Sequence, residues 1–236
     1  MKLMNFVLGV QVSALVATLD AQNLVYEMPA RGTYFQITEG TEYADSATLG
    51  GTDRFVTEAS LFVFSNLGRT GDVTFSIYAA IPVSSIQPGQ PGVIPGDLAA
   101  FQPDVNPLAS VTLEDFVFAG GVSTEVVFSG IDTLVGDDIF WAVEFEEVSN
   151  LSGSGLFGPF LGNAGSLTVP GSETDPSRLY SRSEGVFDNA WVVTSVSGQP
   201  PVTSSLAVSI TAIPEPGTGF LVLAGAIGLL RRRRSA

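Results

Sequence analysis

Apolar and polar residues alternate with a period of two along the middle of the chain. The alternation is clear at 73–78, 139–146 and 206–211, where every second residue is Val, Ile, Leu, Phe or Trp. A period of two places one set of side chains on one face of a β-strand, so each segment predicts a strand with one buried face. The segment 55–64 becomes apolar at both sets of positions toward its end, which is typical of a strand in the centre of a sandwich.

The spacing of such segments predicts an all-β fold. Roughly ten short strands are separated by Gly, Pro, Asn and Asp, and no long stretch before the tail has a helical period with caps. We therefore expect one β-sandwich over 22–212, with a jelly roll as the favoured topology. Two segments are expected to be surface excursions: 81–107, which contains six prolines, and the Gly- and Ser-rich stretch 149–175.

Residues 1–21 have the features of a secretory signal peptide. Lys2 precedes an apolar run over 4–19, and Ala21 supplies a small residue at the expected cleavage site. A positive start, a short apolar middle and a small exit residue are what the Sec export machinery requires. The alternative interpretation is a buried N-terminal strand.

The last residues, 213–236, form a three-part tail. The motif 213–217 contains Pro214, Glu215 and Pro216, an apolar stretch predicts a short transmembrane helix over 218–230, and a cluster of basic residues follows (Arg231, Arg232, Arg233 and Arg234). The prolines prevent a strand or helix from continuing. The arginine cluster favours the cytoplasmic side of a membrane, which would place the ectodomain outside the inner membrane.

This tail resembles the PEP-CTERM sorting signal of Gram-negative bacteria, which has the same three parts in the same order. The resemblance implies recognition by exosortase, a membrane cysteine protease-transpeptidase that would cut near Pro214, Glu215 and Pro216. It also implies an inner-membrane precursor that is later delivered to the cell surface or the extracellular matrix, where such proteins are associated with exopolysaccharide and biofilm. The alternative is a plain C-terminal membrane anchor.

The ectodomain resembles the jelly-roll-like modules that often precede PEP-CTERM tails. The similar pattern comprises strands at 55–64 and 72–79, the segment Pro95-Gly96-Asp97-Leu98, and the segment 131–145. Those modules mostly lack a known activity, and the resemblance assigns no functional residue.

The charge of the ectodomain excludes several kinds of partner. The whole chain has a formal net charge of −14, yet Lys2 and the four terminal arginines supply half of its ten basic residues. Residues 23–213 keep five Arg against twenty-two Asp and Glu, or about −17, which repels phosphate backbones and anionic lipid surfaces. We therefore expect no binding of nucleic acid.

The chain contains neither cysteine nor histidine. It therefore has no disulfide, no thiol chemistry, no Ser-His-Asp or Cys-His nucleophile, and none of the usual zinc ligands. Carboxylates are the reactive groups that remain. No cofactor is expected, although Asp45, Asp53, Asp137 and Asp138 are candidate calcium ligands if they converge in loops. Turn-forming Asp residues are the favoured interpretation.

Two further patterns suggest chemistry at the surface. Glu144, Glu146 and Glu147 could supply a glycosidase carboxylate, but an exposed acidic strand face is the favoured interpretation. Aromatic rings can stack on sugar rings, and the candidates are Phe157, Phe160, Tyr180 and Trp191, with Trp141 expected in the core. Phe157 and Phe160 are expected to be exposed, since Gly158-Pro159 between them favours a turn.

The function predicted from the sequence is a non-enzymatic structural or interaction role at the cell surface or in the extracellular matrix. The alternative is a carbohydrate-binding module that acts in exopolysaccharide. A carboxylate-dependent glycoside hydrolase is a more distant alternative.

Overall fold

The structure is a computed structural model that describes residues 22–34, 36–82, 101–151, 156–162, 170–172, 179–183, 187–191 and 206–214. These residues form twelve strands, and the all-β prediction is confirmed. The strands are β1 (Asn23–Glu27), β2 (Ala30–Tyr34), β3 (Glu42–Thr48), β4 (Phe55–Ser65), β5 (Arg69–Pro82), β6 (Phe101–Phe118), β7 (Val122–Leu134), β8 (Asp138–Glu146), β9 (Phe157–Gly162), β10 (Leu179–Arg182), β11 (Asp188–Trp191) and β12 (Val208–Ile213).

The strands form two antiparallel sheets, which is consistent with the predicted β-sandwich. In the first sheet β4 is central: β7 pairs along one side of it, and β12 and β9 pair in succession along the other, followed by β1 and β2. The second sheet has the order β11-β10-β3-β8-β5-β6. Four ladders are nested along the chain, because β1 pairs with β12, β3 with β8, β4 with β7, and β5 with β6.

The core lies between the two sheets and follows the predicted alternation. In β8 the side chains of Ile139, Trp141, Val143 and Phe145 are all buried in this core. Phe75 of β5 stacks on Trp141 with ring centroids 5.8 Å apart, and on Phe128 of the opposite sheet with centroids 5.2 Å apart. The two sheets are therefore joined by aromatic as well as aliphatic packing.

The other face of β8 is also buried in part, which the alternation alone does not predict. Phe140 and Ala142 belong to a second apolar cluster with Ala44, Tyr78, Tyr180 and Phe187. The side chains of Tyr180 in β10 and of Phe187, the residue directly before β11, pack against this outer face and remove much of it from water. Their position gives β8 two buried faces over much of its length.

The predicted excursion over 81–107 is wrong at both ends. Strand β5 continues to Pro82, and β6 begins at Phe101, so that Pro103 and Pro107 pair with β5. Proline lacks an N–H donor and is therefore confined to sheet edges and bulges. Strand β6 is such an edge, and its register shifts opposite Tyr78 and Ala80, next to both prolines.

The second predicted excursion, 149–175, contains strand β9 and is also wrong in that part. Residues Phe157–Gly162 pair with the end of β4 and with β2. Gly158 and Pro159 lie inside this strand and do not form a turn. Because consecutive residues of a strand point to opposite faces, this error changes which aromatic side chains are exposed.

The described strands begin at Asn23 and end at Ile213, close to the predicted ectodomain limits of 22 and 212. The predicted signal peptide over 1–21 lies outside the described residues, as do Glu215, Pro216 and the arginine cluster. Within the part of the chain that is described, we find no helix with the length and apolar character needed to cross a bilayer.

Candidate functional site

Four aromatic residues lie together on the outer face of the first sheet. Phe62 and Phe64 project from the central strand β4, Phe160 from β9 and Tyr34 from β2. We call this group the outer aromatic patch. Its position follows from strand parity: Leu61, Val63 and Ser65 point into the sandwich and are buried, so Phe62 and Phe64 point outward.

Three rings of the outer aromatic patch contact one another across strands. Tyr34 stacks on Phe64 with centroids 4.9 Å apart and planes inclined by 24°, and Phe160 meets Phe64 edge to face at 6.5 Å. Gly158 lies directly opposite Phe64 in the ladder and has no side chain of its own, which leaves room for the neighbouring rings to contact Phe64. Phe62 is 41% exposed, and the other three side chains are half-buried.

Polar side chains border the outer aromatic patch on the β7 side. Glu125 is the cross-strand partner of Phe62, and Ser123 is the partner of Phe64. Ser60 continues the outward face of β4 beyond Phe62. A flat apolar surface with hydroxyl and carboxylate groups at its border can stack on an apolar ligand face while it hydrogen-bonds to that ligand's polar edge.

The structure distributes the four aromatic candidates differently from the prediction. Phe160 lies in the outer aromatic patch. The prediction that Phe157 is exposed is wrong, because Phe157 has 0% exposure and packs edge to face on Phe118 and Phe145. Tyr180 is buried against Phe140, and its ring is not available for stacking on a ligand. Trp191 ends β11, and its side chain is outside the described part.

Sequence reasoning missed Tyr34, Phe62 and Phe64. The segment 55–64 is apolar at both sets of positions near its end, a pattern that predicts a strand in the centre of a sandwich rather than an aromatic surface. Strand β4 is indeed central, but its outward face is covered only in part. The sequence signal for the patch is the pair of large aromatic residues Phe62 and Phe64, which are two positions apart and so share one face of a strand. Gly158, which has no side chain to cover its neighbour, completes the signal once its pairing with Phe64 is known.

A different arrangement occupies the outer face of the second sheet. The Glu42 carboxylate of β3 is buried and accepts hydrogen bonds from the Tyr78 hydroxyl and from the Arg182 guanidinium. Arg182 Nη2 also donates to the Tyr78 hydroxyl oxygen at 2.7 Å. Ala44 of β3 and Ala142 of β8 have small side chains, which leave room for the Tyr78 ring to reach from β5 across β8 to Glu42.

Arg182 is the centre of this cluster. Its guanidinium lies 4.4 Å from the Phe187 ring centroid, and its Nη1 donates to the Val105 carbonyl oxygen of β6 at 2.9 Å. Burial raises the pKa of the Tyr78 hydroxyl above its ordinary value, and the neighbouring Glu42 carboxylate adds to the rise. Because the polar groups of Glu42, Tyr78 and Arg182 are hydrogen-bonded to one another, the cluster acts as a structural link between β3, β5, β6 and β10.

The candidate calcium ligands do not converge. Asp45 lies in β3 rather than in a loop, is buried, and accepts hydrogen bonds from the backbone N–H groups of Ser46 and Leu206. Asp137 forms an ion pair with Arg54 at 2.7 Å, and Asp138 accepts from the Thr48 hydroxyl. Among the residues that the structure describes, no three acidic side chains are grouped so as to hold a metal ion.

The glutamates of β8 lie on its outward face, as the alternation predicts. Desolvation raises the pKa of the half-buried Glu144 carboxyl, and the charges of Glu146 and Glu42 raise it further. Glu42 cannot act as a free second carboxylate, because both of its oxygens accept hydrogen bonds from Tyr78 and Arg182. Glu42 is therefore not available to act together with Glu144 as the second carboxylate of a hydrolase.

Comparison of the chain with protein-family models, with curated proteins and with solved structures finds no match.

Replacement of Arg182 by Met should destabilise the protein by about 3 kcal/mol, because it leaves the buried Glu42 carboxylate without its counter-charge. Chemical denaturation monitored by tryptophan fluorescence measures the change. Asp137→Asn is the matched control, since it breaks an ion pair whose acidic partner is exposed and should cost less than about 1 kcal/mol. Equal losses for the two variants would show that the Glu42–Arg182 pair has no special structural role.

Replacement of Glu144 by Gln should raise the melting temperature near pH 7. The folded-state pKa of Glu144 lies above the unfolded value, so the folded protein binds this proton more tightly, and stability falls as pH rises through the interval between the two values. The neutral Gln removes this loss. The advantage should vanish near pH 3, where Glu144 is protonated in both states, and Glu125→Gln on the other sheet should not reproduce it. A lower melting temperature for Glu144→Gln near pH 7 contradicts the assignment.

Proposed function

We propose that the protein is an exported, non-enzymatic cell-surface or extracellular-matrix protein, in which a β-sandwich presents the outer aromatic patch to a binding partner. The observation that carries the proposal is the group of four aromatic residues on the outer face of the first sheet, with Phe62 exposed and the other three half-buried, on an otherwise strongly acidic domain. Large aromatics are expensive to leave in water and dominate binding where they occur at surfaces, so a contiguous group of them marks an interaction site.

The positions of the chain ends support the proposed sorting route. Asn23 at the start of β1 pairs with Ala212 near the end of β12, so the two predicted membrane segments leave the sandwich at neighbouring points. Strand β12 ends at Ile213, directly before Pro214. Exosortase cleavage near Pro214, Glu215 and Pro216 would therefore release the ectodomain without removing a strand.

We also propose that the sandwich is a jelly roll. That topology wraps a chain so that the first and last of eight strands pair, then the second and seventh, the third and sixth, and the fourth and fifth. The four nested ladders, β1 with β12, β3 with β8, β4 with β7 and β5 with β6, follow this scheme. Strands β2, β9, β10 and β11 are additions to it, and β2 and β9 provide half of the outer aromatic patch.

A carbohydrate-binding module is the second candidate, and the composition of the outer aromatic patch favours it. Sugar rings have apolar faces that stack on aromatic side chains and hydroxyl edges that need polar partners. Glu125, Ser123 and Ser60 supply such partners beside Phe62 and Phe64. The local carboxylate favours a neutral or positively charged glycan over an anionic one.

Replacement of Phe62 or Phe64 by Ala should weaken binding to the partner by about tenfold or more, because each exposed aromatic contributes roughly 1–2 kcal/mol as a binding hot spot. A glycan array probed with the protein tests the carbohydrate candidate directly. Val117→Ala removes an exposed apolar side chain from β6 and is the control that should leave binding unchanged. If no glycan binds, the carbohydrate candidate is lost, whereas pull-down of a matrix protein that depends on Phe62 would retain the broader proposal.

Deletion of Arg231–Arg234, or replacement of Glu215 by Ala, should leave an uncleaved precursor in the inner membrane. The first change removes the charges that orient the tail, and the second alters the proposed recognition motif. Fractionation and immunoblotting with a tag placed after Ala21 measure both outcomes. Replacement of Glu27, which lies outside the tail, is the control. Normal maturation of both tail variants would exclude exosortase sorting without affecting the outer aromatic patch.

A further inference from the structure

Arg69 is a buried cation at one end of the sandwich. It is the first residue of β5 and pairs with Phe118, the last residue of β6. Its side chain has the same parity as Val73 and Phe75 and therefore points between the sheets, where only 2% of it is exposed. Its guanidinium lies 5.8 Å from the centroid of the buried Phe157 ring, and its Nη1 donates to the Ser149 carbonyl oxygen at 2.9 Å.

One edge of this guanidinium has no partner. Arg69 Nε and Nη2 are both buried and make no hydrogen bond. These two nitrogens direct parallel N–H bonds to the same side, which is the fork that binds both oxygens of a carboxylate. The two unsatisfied nitrogens of Arg69 therefore form together the pair of donors that a carboxylate accepts from.

The contrast with the other described arginine side chains shows that the missing partner is specific to this site. Arg54 pairs with Asp137, and Arg182 pairs with Glu42. In the described part of this acidic chain no carboxylate forms an ion pair with Arg69. A buried charge without a counter-ion is costly, and contact with one aromatic ring offsets only part of that cost.

A second unsatisfied group lies in the same turn. The Asn66 side-chain oxygen is also buried and accepts no hydrogen bond. Asn66 and Arg69 flank the turn between β4 and β5, which packs closely against the next turn: a Cβ on Gly120 would lie 2.5 Å from Gly68 N. The end of the sandwich thus holds a bidentate donor and a separate acceptor, neither of which has a hydrogen-bond partner among the described residues.

We propose that Arg69 is the centre of a binding site for a carboxylate ligand that also carries a hydroxyl group. The carboxylate would accept two hydrogen bonds from Arg69 Nε and Nη2, and the ligand hydroxyl would donate to the Asn66 oxygen. A sugar acid has both groups, and so does a simple hydroxy acid. Arg69 begins its strand, and the exposed side chains of Leu67 and Leu156 border the same end of the sandwich, so a ligand would approach from that end.

This site is independent of the outer aromatic patch. It is built from the turns and the inward-facing residues, whereas the patch is built from outward-facing residues of β2, β4 and β9. Binding of a neutral glycan at the patch and of a carboxylate at Arg69 can therefore succeed or fail separately.

Thermal melting of the full-length chain in non-ionic detergent tests the proposal. At constant pH and ionic strength, acetate and glucuronate should each raise the melting temperature in a saturable manner, glucuronate at the lower concentration, whereas chloride and glucose should not. Arg69→Met should abolish the rise, and in buffer without carboxylates it should melt no lower than the wild type, because it removes an unpaired buried charge. Asp137→Asn, at the opposite end of the sandwich, should respond as the wild type does.

The proposal is overturned if neither carboxylate stabilises the wild type, or if Arg69→Met responds equally. The first result would leave buried water as the partner of Arg69. If Arg69→Met does not fold, saturation-transfer NMR on the wild type decides the question: transfer to glucuronate that is competed by acetate supports the site, and no transfer excludes it. Loss of the glucuronate preference in Asn66→Ala, with acetate binding retained, would support the proposed role of Asn66.

Discussion

The packing of two inner sheet faces against each other is the interaction on which the rest of the structure depends. Phe75 occupies the centre of this contact, stacked on Trp141 in its own sheet and on Phe128 in the opposite one. The chain has neither disulfides nor a described metal site to add to this packing, so burial of apolar area carries the stability. In the same core the indole N–H of Trp141 makes no hydrogen bond to a described residue. The close packing of the side chains is therefore kept there although one buried donor has no acceptor.

Once the inner faces are committed to the core, the two outer faces serve different purposes. On the outer face of the second sheet, the side chains of Tyr180 and Phe187 pack against the sheet, and the Glu42–Tyr78–Arg182 cluster lies beside them. The first sheet has Tyr34, Phe62, Phe64 and Phe160 on its outer face, where Phe62 is exposed and the other three side chains are half-buried. This partly exposed aromatic surface is the one on which the proposed interaction role depends.

The two ends of the sandwich also differ, because the arginine at each end is hydrogen-bonded to a different extent. At one end the first and last strands meet, and Arg54 organises the neighbouring loop through hydrogen bonds to several backbone carbonyls. At the other end short turns pack together over Arg69, whose buried donor edge has no protein partner.

The sequence by itself determined the strands of the core, since a period of two is a local property of the chain and needs no knowledge of neighbours. It determined the acidic character of the domain and the absence of histidine and cysteine chemistry for the same reason. Only the tertiary structure decided which aromatic side chains meet solvent. Phe157 and Phe160 lie three residues apart in one strand and therefore on opposite faces, and Leu61 and Phe62 are both apolar, so hydropathy could not distinguish the core face from the open one. Likewise, Arg182 and Arg69 look alike in the sequence, and only the fold gave the first a carboxylate from 140 residues away and left the second without one.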